Sequence, residues 1–530
     1  MKRPLKPSSQ QRDIFDFLAQ GEGHAVVMAT AGSGKTTTLV EAAYRLPKGV
    51  RACFLAFNTH TAEQLKARLP SVVEARTIHA LGLLTLRSEL GKARHELRVV
   101  KDKSQSLAEH VLKNDARTWR LAPEEMRAAI RYTRDLARYI RLELATPQAL
   151  PDLVIRYGLF LPNRQLTVVL HELVWEVLER GLEQALEGLI DFEDMVFVPV
   201  LKDMKPPQPF DFVMVDEAQD LSKAQLTFVQ QTVKRDGRLF FVGDPYLTIY
   251  GFSGADPNAM ARIIRSTNAT VLPLSTTYRC PKSHVQLARH FSPDITAAPG
   301  AAEGAVHIIG DAALAHHVKA EDLVLCRLNA PLVKAALGLI RQGVPARVVG
   351  KDLEGKLVAD AKTALSSTSA HWPTQLARYE IRELGQLERR ALPQDVKDRL
   401  LAQREDELAS LRSLLGETAG EGLETLGELL ARIHLLFREA RAASFSTVHK
   451  AKGKEAKRVF ILYPELMPLT FVNSTVAKQG ETCVQFVALT RAKSELTFVE
   501  SCTGNSAQGW WRRGYTITPC PPDKVQSRSR

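Results

Sequence analysis

The segment Ala29-Thr-Ala-Gly-Ser-Gly-Lys-Thr36 constrains the fold more than any other feature of this sequence. It follows a short apolar run at residues 24–29 and precedes a stretch of helical character at residues 37–43. Small residues in such a turn let backbone N–H groups and the helix N-terminus surround phosphate oxygens. We expect Lys35 to reach the β- and γ-phosphates of a nucleotide and the Thr36 hydroxyl to ligate Mg²⁺. The alternative, a glycine-rich turn without function, is disfavoured by the flanking strand and helix.

Short apolar runs elsewhere predict two parallel sheets. The first set lies at residues 24–29, 51–57, 210–215 and 238–243. The second set lies at residues 322–326, 346–350, 458–462 and 495–499. Near-continuous apolar strands with polar residues after their carboxyl ends are typical of buried parallel sheets in α/β folds. The sequence therefore predicts an α/β protein with two sheet-bearing lobes.

Two stretches, residues 89–190 and 366–440, are helix-rich and charged, with breaks in the second at Pro393 and residues 416–422. Their apolar content supports packing, so we interpret them as helical insertions into the lobes. The expected division places lobe 1 at 1–88 and 191–272, its insertion at 89–190, lobe 2 at 273–365 and 441–505, its insertion at 366–440, and a tail at 506–530.

Composition narrows the class of partner and the compartment. The chain has 71 Lys and Arg against 59 Asp and Glu, a net charge of +12, which makes a polyanion such as nucleic acid a candidate partner. Six cysteines without any CxxC pair argue against a zinc ribbon, an iron–sulfur cluster or a disulfide scaffold. No run approaches 18 apolar residues, and the N-terminus does not resemble a signal peptide. We therefore expect a soluble protein in a reducing compartment, without a membrane partner.

A second motif, Val213-Met-Val-Asp-Glu-Ala-Gln-Asp220, completes the chemistry of the phosphate loop. Asp216 is expected to hold Mg²⁺, and Glu217 to orient or deprotonate the attacking water. A solvated acidic turn is the alternative, which the pairing with the Lys35 loop disfavours. The two motifs together predict a site that hydrolyses nucleoside triphosphates.

Taken in order from Gln11 to Arg491, the motifs resemble the UvrD/Rep/PcrA family of superfamily 1 DNA helicases. The resemblance implies two RecA-like lobes of the P-loop NTPase class, with ATP and Mg²⁺ as cofactors. It also implies 3′→5′ movement on single-stranded DNA, with strand separation at junctions between single-stranded and duplex DNA. The expected location is the cytoplasm. The protein would associate with the nucleoid if it is bacterial, or lie in the host cytoplasm if it is phage-encoded. Repair, replication and recombination stay open as pathways.

The resemblance also implies roles for individual residues. Those assigned to catalysis are Lys35, Asp216, Glu217, Arg279 and the arginine finger Arg491. In ATP binding, Gln11 is assigned to the adenine edge and Tyr278 to stacking on the base. The full set assigned to ATP is Gln11, Ala31, Gly32, Ser33, Gly34, Lys35, Thr36, Thr37, Tyr278 and Glu455. Mg²⁺ is assigned to Thr36 and Asp216. Those assigned to DNA are Phe57, Thr77, His79, Tyr250, Phe252, Thr447 and His449, with core packing as the alternative for Phe57.

Three positions depart from the family pattern. Leu247 stands where relatives usually have Gln, Ser253 where they have Arg, and Thr37 where an arginine is frequent. Because leucine cannot form the hydrogen bond by which that Gln senses the γ-phosphate, we expect slower or less DNA-dependent turnover. An ATP-gated DNA clamp or nucleoprotein remodeller without processive unwinding is the alternative function.

Two further features have open interpretations. In residues 125–144, Met126, Ile130, Thr133, Ala137, Ile140 and Leu144 form one helix face. The arginines that flank this face are Arg127, Arg131, Arg134, Arg138 and Arg141. They are expected either to follow DNA phosphates or to form a solvated flank. Trp510-Trp511 is expected either to dock a partner or to cap the second lobe, with packing favoured.

Overall fold

A computed structural model describes residues 6–56, 58–91, 93, 96–159, 161, 163–248, 258–389, 394–418, 422–438, 441–469, 475–501 and 509–512. The chain divides into two compact units, Met1–Ser275 and Thr276–Arg530. Among the described residues, no helix has the length and apolar content needed to cross a bilayer.

The first unit contains a six-stranded, all-parallel sheet. Its strands are β1 (Ala25–Ala29), β2 (Ala52–Ala56), β3 (Val73–Thr77), β6 (Phe210–Val215), β7 (Val233–Gly243) and β8 (Thr270–Leu274), in the order β3-β2-β6-β7-β1-β8. A separate parallel pair is formed by β4 (Arg98–Val99) and β5 (Leu189–Ile190). The sequence did not predict the outer strands β3 and β8. The latter contains Pro273, which has no N–H to donate and is tolerated at a sheet edge.

The helices of the first unit cover both faces of this sheet and extend beyond it. They are α1 (Ser9–Gln20), α2 (Lys35–Ala43), α3 (Thr59–Lys66), α4 (Ile78–Glu89), α5 (Lys103–Asn114), α6 (Pro123–Glu143), α7 (Leu150–Tyr157), α8 (Arg164–Glu187), α9 (Asp194–Leu201), α10 (Lys223–Gln231) and α11 (Ala259–Thr267). Successive strand residues face opposite sides, so Phe54 enters one apolar core while Cys53 and Leu55 enter the other. Helices α5–α8 pack around a core of their own, which includes Leu136, Leu170 and Val174.

The second unit repeats the architecture with a different strand order. Its strands are β9 (Thr276–Thr277), β10 (Thr296–Ala297), β11 (Ala305–Gly310), β12 (Leu323–Cys326), β13 (Ala346–Val348), β14 (Ala443–Thr447), β15 (Ala456–Leu462) and β16 (Ala492–Glu500). Six of them form an all-parallel sheet in the order β11-β16-β15-β12-β14-β13, while β9 and β10 pair separately. All eight predicted apolar runs are strands of the two large sheets, so the α/β class with two parallel-sheet lobes is confirmed.

The helices of the second unit are α12 (Lys282–Ala288), α13 (Leu314–His317), α14 (Asn329–Arg341), α15 (Lys351–Ala364), α16 (Trp372–Glu388), α17 (Gln394–Thr418), α18 (Leu426–Arg438) and α19 (Thr475–Leu489). The predicted break at residues 416–422 is confirmed in position: α17 continues through Gly416 but ends at Thr418, and Gly422, with φ of 71°, lies in the turn before α18. Pro393 lies outside the described residues.

The described part of the tail packs onto the second unit. Trp511 is 3% exposed, and its Nε1 donates to Glu500 Oε1 at 2.7 Å. The ring of Trp510 meets Phe291 and Phe498 edge-on, with centroids 5.8 and 6.0 Å apart. The packing interpretation of the tryptophan pair therefore holds, whereas residues 513–530 lie outside the described residues.

Candidate nucleotide and nucleic-acid sites

The phosphate loop joins the end of β1 to the start of α2. Gly32 and Gly34 have φ of 73° and 79°, the left-handed region in which other L-residues are strained. These two glycines let the backbone curl at the N-terminus of α2, where free N–H groups and the helix dipole attract anions. Lys35 and Thr36 then open the helix with partly exposed side chains. The sequence motif thus has the backbone geometry that phosphate binding requires.

Two buried hydroxyls in this loop support the same assignment. Thr30 Oγ1 and Ser33 Oγ are buried and have no hydrogen-bond partner within the part of the chain that the structure describes. Buried polar atoms are nearly always hydrogen-bonded, so an orphaned pair indicates a missing polar ligand. Ala31 and Ser33 of the loop are buried, while Thr37 is partly exposed on the first turn of α2. The loop residues therefore fit a nucleotide phosphate.

The predicted metal ligands lie next to each other. Thr36 Oγ1 donates to Asp216 Oδ2 at 2.8 Å, and Asp216, at the carboxyl end of β6, is 6% exposed. Burial and the neighbouring Glu217 raise the pKa of Asp216 to about 6, although Lys35 and Thr36 oppose the shift. A hydroxyl and a carboxylate in contact are the oxygen ligands that Mg²⁺ prefers beside phosphates. These two residues fit the ion that the sequence predicted.

Glu217 is positioned by a residue that the sequence analysis did not single out. Its φ of 53° is uncommon outside glycine, and its Oε2 accepts from Gln219 Nε2 at 2.5 Å. Gln219 is 1% exposed, and its Oε1 accepts from Asp244 N at 3.0 Å. A Cβ on Gly243 would lie 2.7 Å from that oxygen, so only glycine leaves the space. Gln219 therefore connects Glu217 to the residues that follow β7. In the sequence, the position of Gln219 within the acidic motif was the feature that could have indicated this role.

Gln11 is held by its own helix cap. Its Oε1 accepts from Ser8 N at 3.0 Å, Ser8 Oγ accepts from Gln11 N, and its Nε2 donates to Thr38 Oγ1 at 2.9 Å. The side chain is 3% exposed. Contact with an adenine would therefore require Gln11 to exchange one of these bonds, and the adenine role stays a prediction.

Two predicted DNA contacts of the first unit lie together at the carboxyl end of β3. Thr77 Oγ1 caps α4 by accepting from Ala80 N at 3.1 Å. The ring of His79 meets Phe192 edge-on, with centroids 5.7 Å apart, and burial lowers the pKa of His79. Phe192 is 53% exposed and was not singled out from the sequence. The only feature of the sequence that could have indicated its position beside His79 is its aromatic type, between β5 and α9.

Several sequence predictions lie outside the described residues. These are Phe57, Tyr250, Phe252 and Ser253. Leu247 is described, is 5% exposed and ends a short 3₁₀ turn after β7.

In the second unit, Arg279 and Glu455 form an ion pair. Arg279 Nε lies 2.6 Å from Glu455 Oε2, and its Nη1 donates to the carbonyl of Thr490 at 3.2 Å. Lys493 contacts the other oxygen of Glu455. Although burial opposes the shift, Lys493 and Arg279 lower the pKa of Glu455. Tyr278 is 52% exposed, so its ring is available for stacking.

Arg491 is buried within the second unit. Its Nε donates to the Val487 carbonyl at 3.0 Å, its Nη1 to the Lys454 carbonyl at 3.3 Å, and its Nη2 to Thr490 Oγ1 at 3.2 Å. Action as an arginine finger would require the guanidinium to leave at least one of these acceptors. The role stays a prediction.

Thr447 and His449 lie at the carboxyl end of β14. Thr447 is buried and accepts from Lys450 N at 3.4 Å through its Oγ1. Burial and the nearby Arg327 guanidinium lower the pKa of His449 to about 3, so its imidazole is neutral near pH 7. A neutral ring contributes hydrogen bonds rather than charge to any DNA contact.

The expectation of five arginines in one exposed row on α6 is wrong. Arg141 is 6% exposed, and its Nη1 lies 2.9 Å from Asp191 and 3.0 Å from Asp194. The buried side of α6 is wider than predicted, because it also includes Ala129, Tyr132 and Leu136. Of the other four arginines, two form ion pairs: Arg134 with Asp135 and Arg138 with Glu193. Arg127 and Arg131 are exposed to solvent.

The two parallel sheets, the phosphate loop and the Thr36–Asp216 contact define a P-loop nucleotide-binding protein with two RecA-like lobes. Residues 9–268 match the UvrD/REP helicase N-terminal domain, and residues 310–502 match the UvrD-like helicase C-terminal domain. The chain belongs to the UvrD/REP helicase family.

Individual relatives are distant. DNA helicase IV of Escherichia coli (strain K12) is 27% identical over 334 residues, covering 54% of this chain and 47% of the relative. The ATP-dependent DNA helicase PcrA of Staphylococcus epidermidis (strain ATCC 12228 / FDA PCI 1200) is 27% identical over 295 residues, covering 50% and 37%. PcrA of Staphylococcus aureus (strain COL) gives 27% over 293 residues, with the same coverage. The matched part of the chain thus spans less than half the length of these curated relatives.

Proposed function

We propose that this chain is an ATP-dependent DNA helicase that moves on single-stranded DNA and separates strands at duplex junctions. The contact between Thr36 and Asp216, next to the Lys35 loop, is the observation that carries the ATPase part. Family membership supports DNA as the substrate. The 3′→5′ direction rests on the family resemblance alone.

The residues assigned to ATP hydrolysis divide the work of phosphoryl transfer. The loop amides and Lys35 hold the phosphates, and Thr36 with Asp216 would hold Mg²⁺, directly or through water. Mg²⁺, when bound, neutralises the charge on the phosphate oxygens. Glu217, oriented by Gln219, accepts a hydrogen bond from the attacking water and takes its proton. Arg279 and Arg491 are assigned to the γ-phosphate by resemblance, and cations in that position contribute about 10³–10⁵ in rate.

Contacts with a DNA strand are assigned to strand ends in each unit. Thr77 and His79 follow β3 and stand beside the exposed ring of Phe192. Thr447 and His449 end β14. Hydroxyl and imidazole groups suit backbone contacts, and an exposed aromatic ring can stack on a base with about 1–3 kcal/mol whatever the sequence. Such contacts suit a protein that travels along DNA.

The test combines ATP hydrolysis with strand displacement on 3′-tailed and 5′-tailed duplexes. We expect DNA-stimulated hydrolysis and displacement of the 3′-tailed substrate. Lys35→Ala should abolish both, because the phosphates lose their main cation, whereas Lys48→Ala, at an exposed lysine in a turn after α2, should change neither. Displacement of the 5′-tailed duplex alone would contradict the direction, and hydrolysis that survives Lys35→Ala would contradict the site.

A second function has one observation in its favour. Leu247, which replaces the family's glutamine, is buried in the 3₁₀ turn after β7, and its apolar side chain cannot hydrogen-bond a phosphate. An ATP-gated clamp or remodeller of nucleoprotein would need less coupling between hydrolysis and movement. ATP hydrolysis without displacement of either tailed duplex would favour this alternative.

A further inference from the structure

The second helical insertion shares one apolar core with the sheet of the second unit. Leu408, Leu411 and Leu414 of α17 belong to the same buried cluster as Val324 of β12 and Phe445 of β14. A contiguous core of this kind transmits strain between its elements, because protein interiors are close-packed. Helix α17 is therefore placed to influence the strands that it covers.

One side chain of α17 reaches the start of α14. The Asp406 carboxylate accepts hydrogen bonds from Asn329 N and Ala330 N at 2.9 Å and from Asn329 Nδ2 at 2.8 Å. It is 9% exposed. A carboxylate at a helix N-terminus satisfies free N–H groups and interacts favourably with the helix dipole. Asp406 thus holds the first turn of α14 from another part of the chain.

The segment that Asp406 holds lies beside the predicted DNA contacts of the second unit. Strands β12 and β14 are parallel neighbours with Cys326 opposite Thr447, and Val448 N donates to the Cys326 carbonyl at 3.0 Å. The residues after the two strands therefore begin side by side. Arg327 is close enough to His449 to lower the pKa of that ring. The turn from Arg327 to Asn329 therefore lies beside Thr447 and His449.

Arg327 is itself fixed by a second carboxylate. Its guanidinium pairs with Glu481 of α19, with Nη2 and Oε1 2.6 Å apart. The turn is thus held by Glu481 at its first residue and by Asp406 at its last. Removing Asp406 would release one end of the turn without breaking the other.

We propose that Asp406 is a positioning residue for DNA: by holding the Arg327–Asn329 turn, it makes strand binding by the second unit depend on the helical insertion. The inference rests on the proposed function, because it takes Thr447 and His449 as DNA contacts. Asp406 itself touches neither nucleotide nor reacting atoms in this assignment.

The test separates positioning from simple stabilisation. Asp406→Ala, Asp406→Asn and the matched control Glu405→Gln, at the exposed acid one residue earlier, are compared with the wild-type chain. The measurements are the affinity for a fluorescent oligothymidylate by anisotropy, and the DNA concentration for half-maximal stimulation of ATP hydrolysis together with the maximal rate. All are made well below the midpoint of thermal unfolding of each variant.

We expect Asp406→Ala to weaken oligonucleotide binding about tenfold and to raise the half-stimulating DNA concentration by a similar factor. The maximal rate at saturating DNA should stay within about twofold, since only DNA binding is affected. Asp406→Asn keeps one acceptor oxygen and should show a smaller loss. If Asp406→Ala does not fold, Asp406→Asn carries the test, with a loss of about threefold expected.

Three results would overturn the inference. Unchanged DNA affinity in Asp406→Asn and in a folded Asp406→Ala, with only a lower unfolding temperature, would leave Asp406 a structural cap. Equal losses in Glu405→Gln would show a general charge effect. A wild-type chain that binds no oligonucleotide would overturn the proposed function and this inference together, whereas binding without stimulation would contradict only the coupling to hydrolysis.

Discussion

Arg141 is the centre of a buried charge cluster that links α6 to the segment after β5. Its guanidinium contacts both oxygens of Asp191 at 2.9 Å, Asp194 Oδ1 at 3.0 Å and Ser104 Oγ at 2.8 Å. Lys103 Nζ lies 2.6 Å from Asp194 Oδ2. All four charged residues are at most 6% exposed. Two cations and two carboxylates therefore balance in an interior where an unpaired charge is costly.

We predict that Arg141→Met destabilises the first unit by about 3–5 kcal/mol, the cost of removing one partner from a buried ion pair. The variant leaves two buried carboxylates with Lys103 as their one remaining cation among these four residues. For a unit of 275 residues, about 2–4 °C per kcal/mol corresponds to a fall of roughly 6–20 °C in the unfolding midpoint. The loss is measured by thermal unfolding followed by circular dichroism.

The charge cluster also predicts how the stability of Arg141→Met changes with pH. In the wild-type chain burial acts to raise the pKa of Asp191. Arg141 and Ser104 outweigh this effect, so the pKa is lowered. Without Arg141 the burial effect raises this pKa above that of the unfolded chain, so the folded variant binds a proton more readily. Stability of the variant then falls as pH rises through the raised pKa. The deficit should be smaller at pH 5 than at pH 8.

Charge balance makes a stricter test possible. Adding Asp191→Asn to Arg141→Met restores neutrality with Lys103 and Asp194, so the double variant should be more stable than the single one. Arg131→Met, on the exposed side of the same helix, should change stability by less than about 0.5 kcal/mol. A loss below about 1 kcal/mol for Arg141→Met, or a double variant no more stable than the single, would refute the reasoning.

Two further predictions concern the nucleotide site. Leu247→Gln should increase the stimulation of ATP hydrolysis by DNA if the leucine limits coupling, and an unchanged stimulation ratio in a steady-state assay would contradict that hypothesis. Because burial and Glu217 raise the pKa of Asp216 to about 6, the apparent affinity for Mg²⁺ should fall about tenfold per pH unit below pH 6 as the carboxylate takes up a proton. Asp216→Asn should remove this pH dependence, and a flat wild-type profile between pH 5 and 7 would contradict the assigned shift.

The fold could be predicted where one segment carries its own signal. Central strands such as β1, β6 and β12 are buried on both faces, so their apolar runs are visible in the sequence. Three of the missed strands, β3, β8 and β11, are outer strands, where half of the hydrogen bonds are absent and composition is freer. Interior strand β14, Ala443–Thr447, was missed because three of its five residues are serine or threonine, which are typical of turns.

The site could be predicted as residue types but not as partners. Thr36 and Asp216 are 180 positions apart, yet each sits at a strand–helix turn that its own motif identifies. Glu481 and Asp406 carry no comparable local signal, because their partners arrive from distant parts of the chain. Hydrogen bonds of this kind depend on how separate helices pack against the sheet, which is a tertiary property.

The five arginines of α6 show why periodicity alone misjudges charge. The helical period gives the direction in which each arginine points from the helix axis. Whether that arginine is buried depends on which element packs against the helix at that position along its length. At Arg131 the neighbouring surface is solvent, whereas at Arg141 it is the turn from Asp191 to Asp194. Two aspartates in an apolar stretch that runs from β5 through α9 need cations, because buried carboxylates are rarely unpaired. That pairing demand was readable in the sequence, but only the packing of α6 against this turn identifies Arg141 as one of the cations.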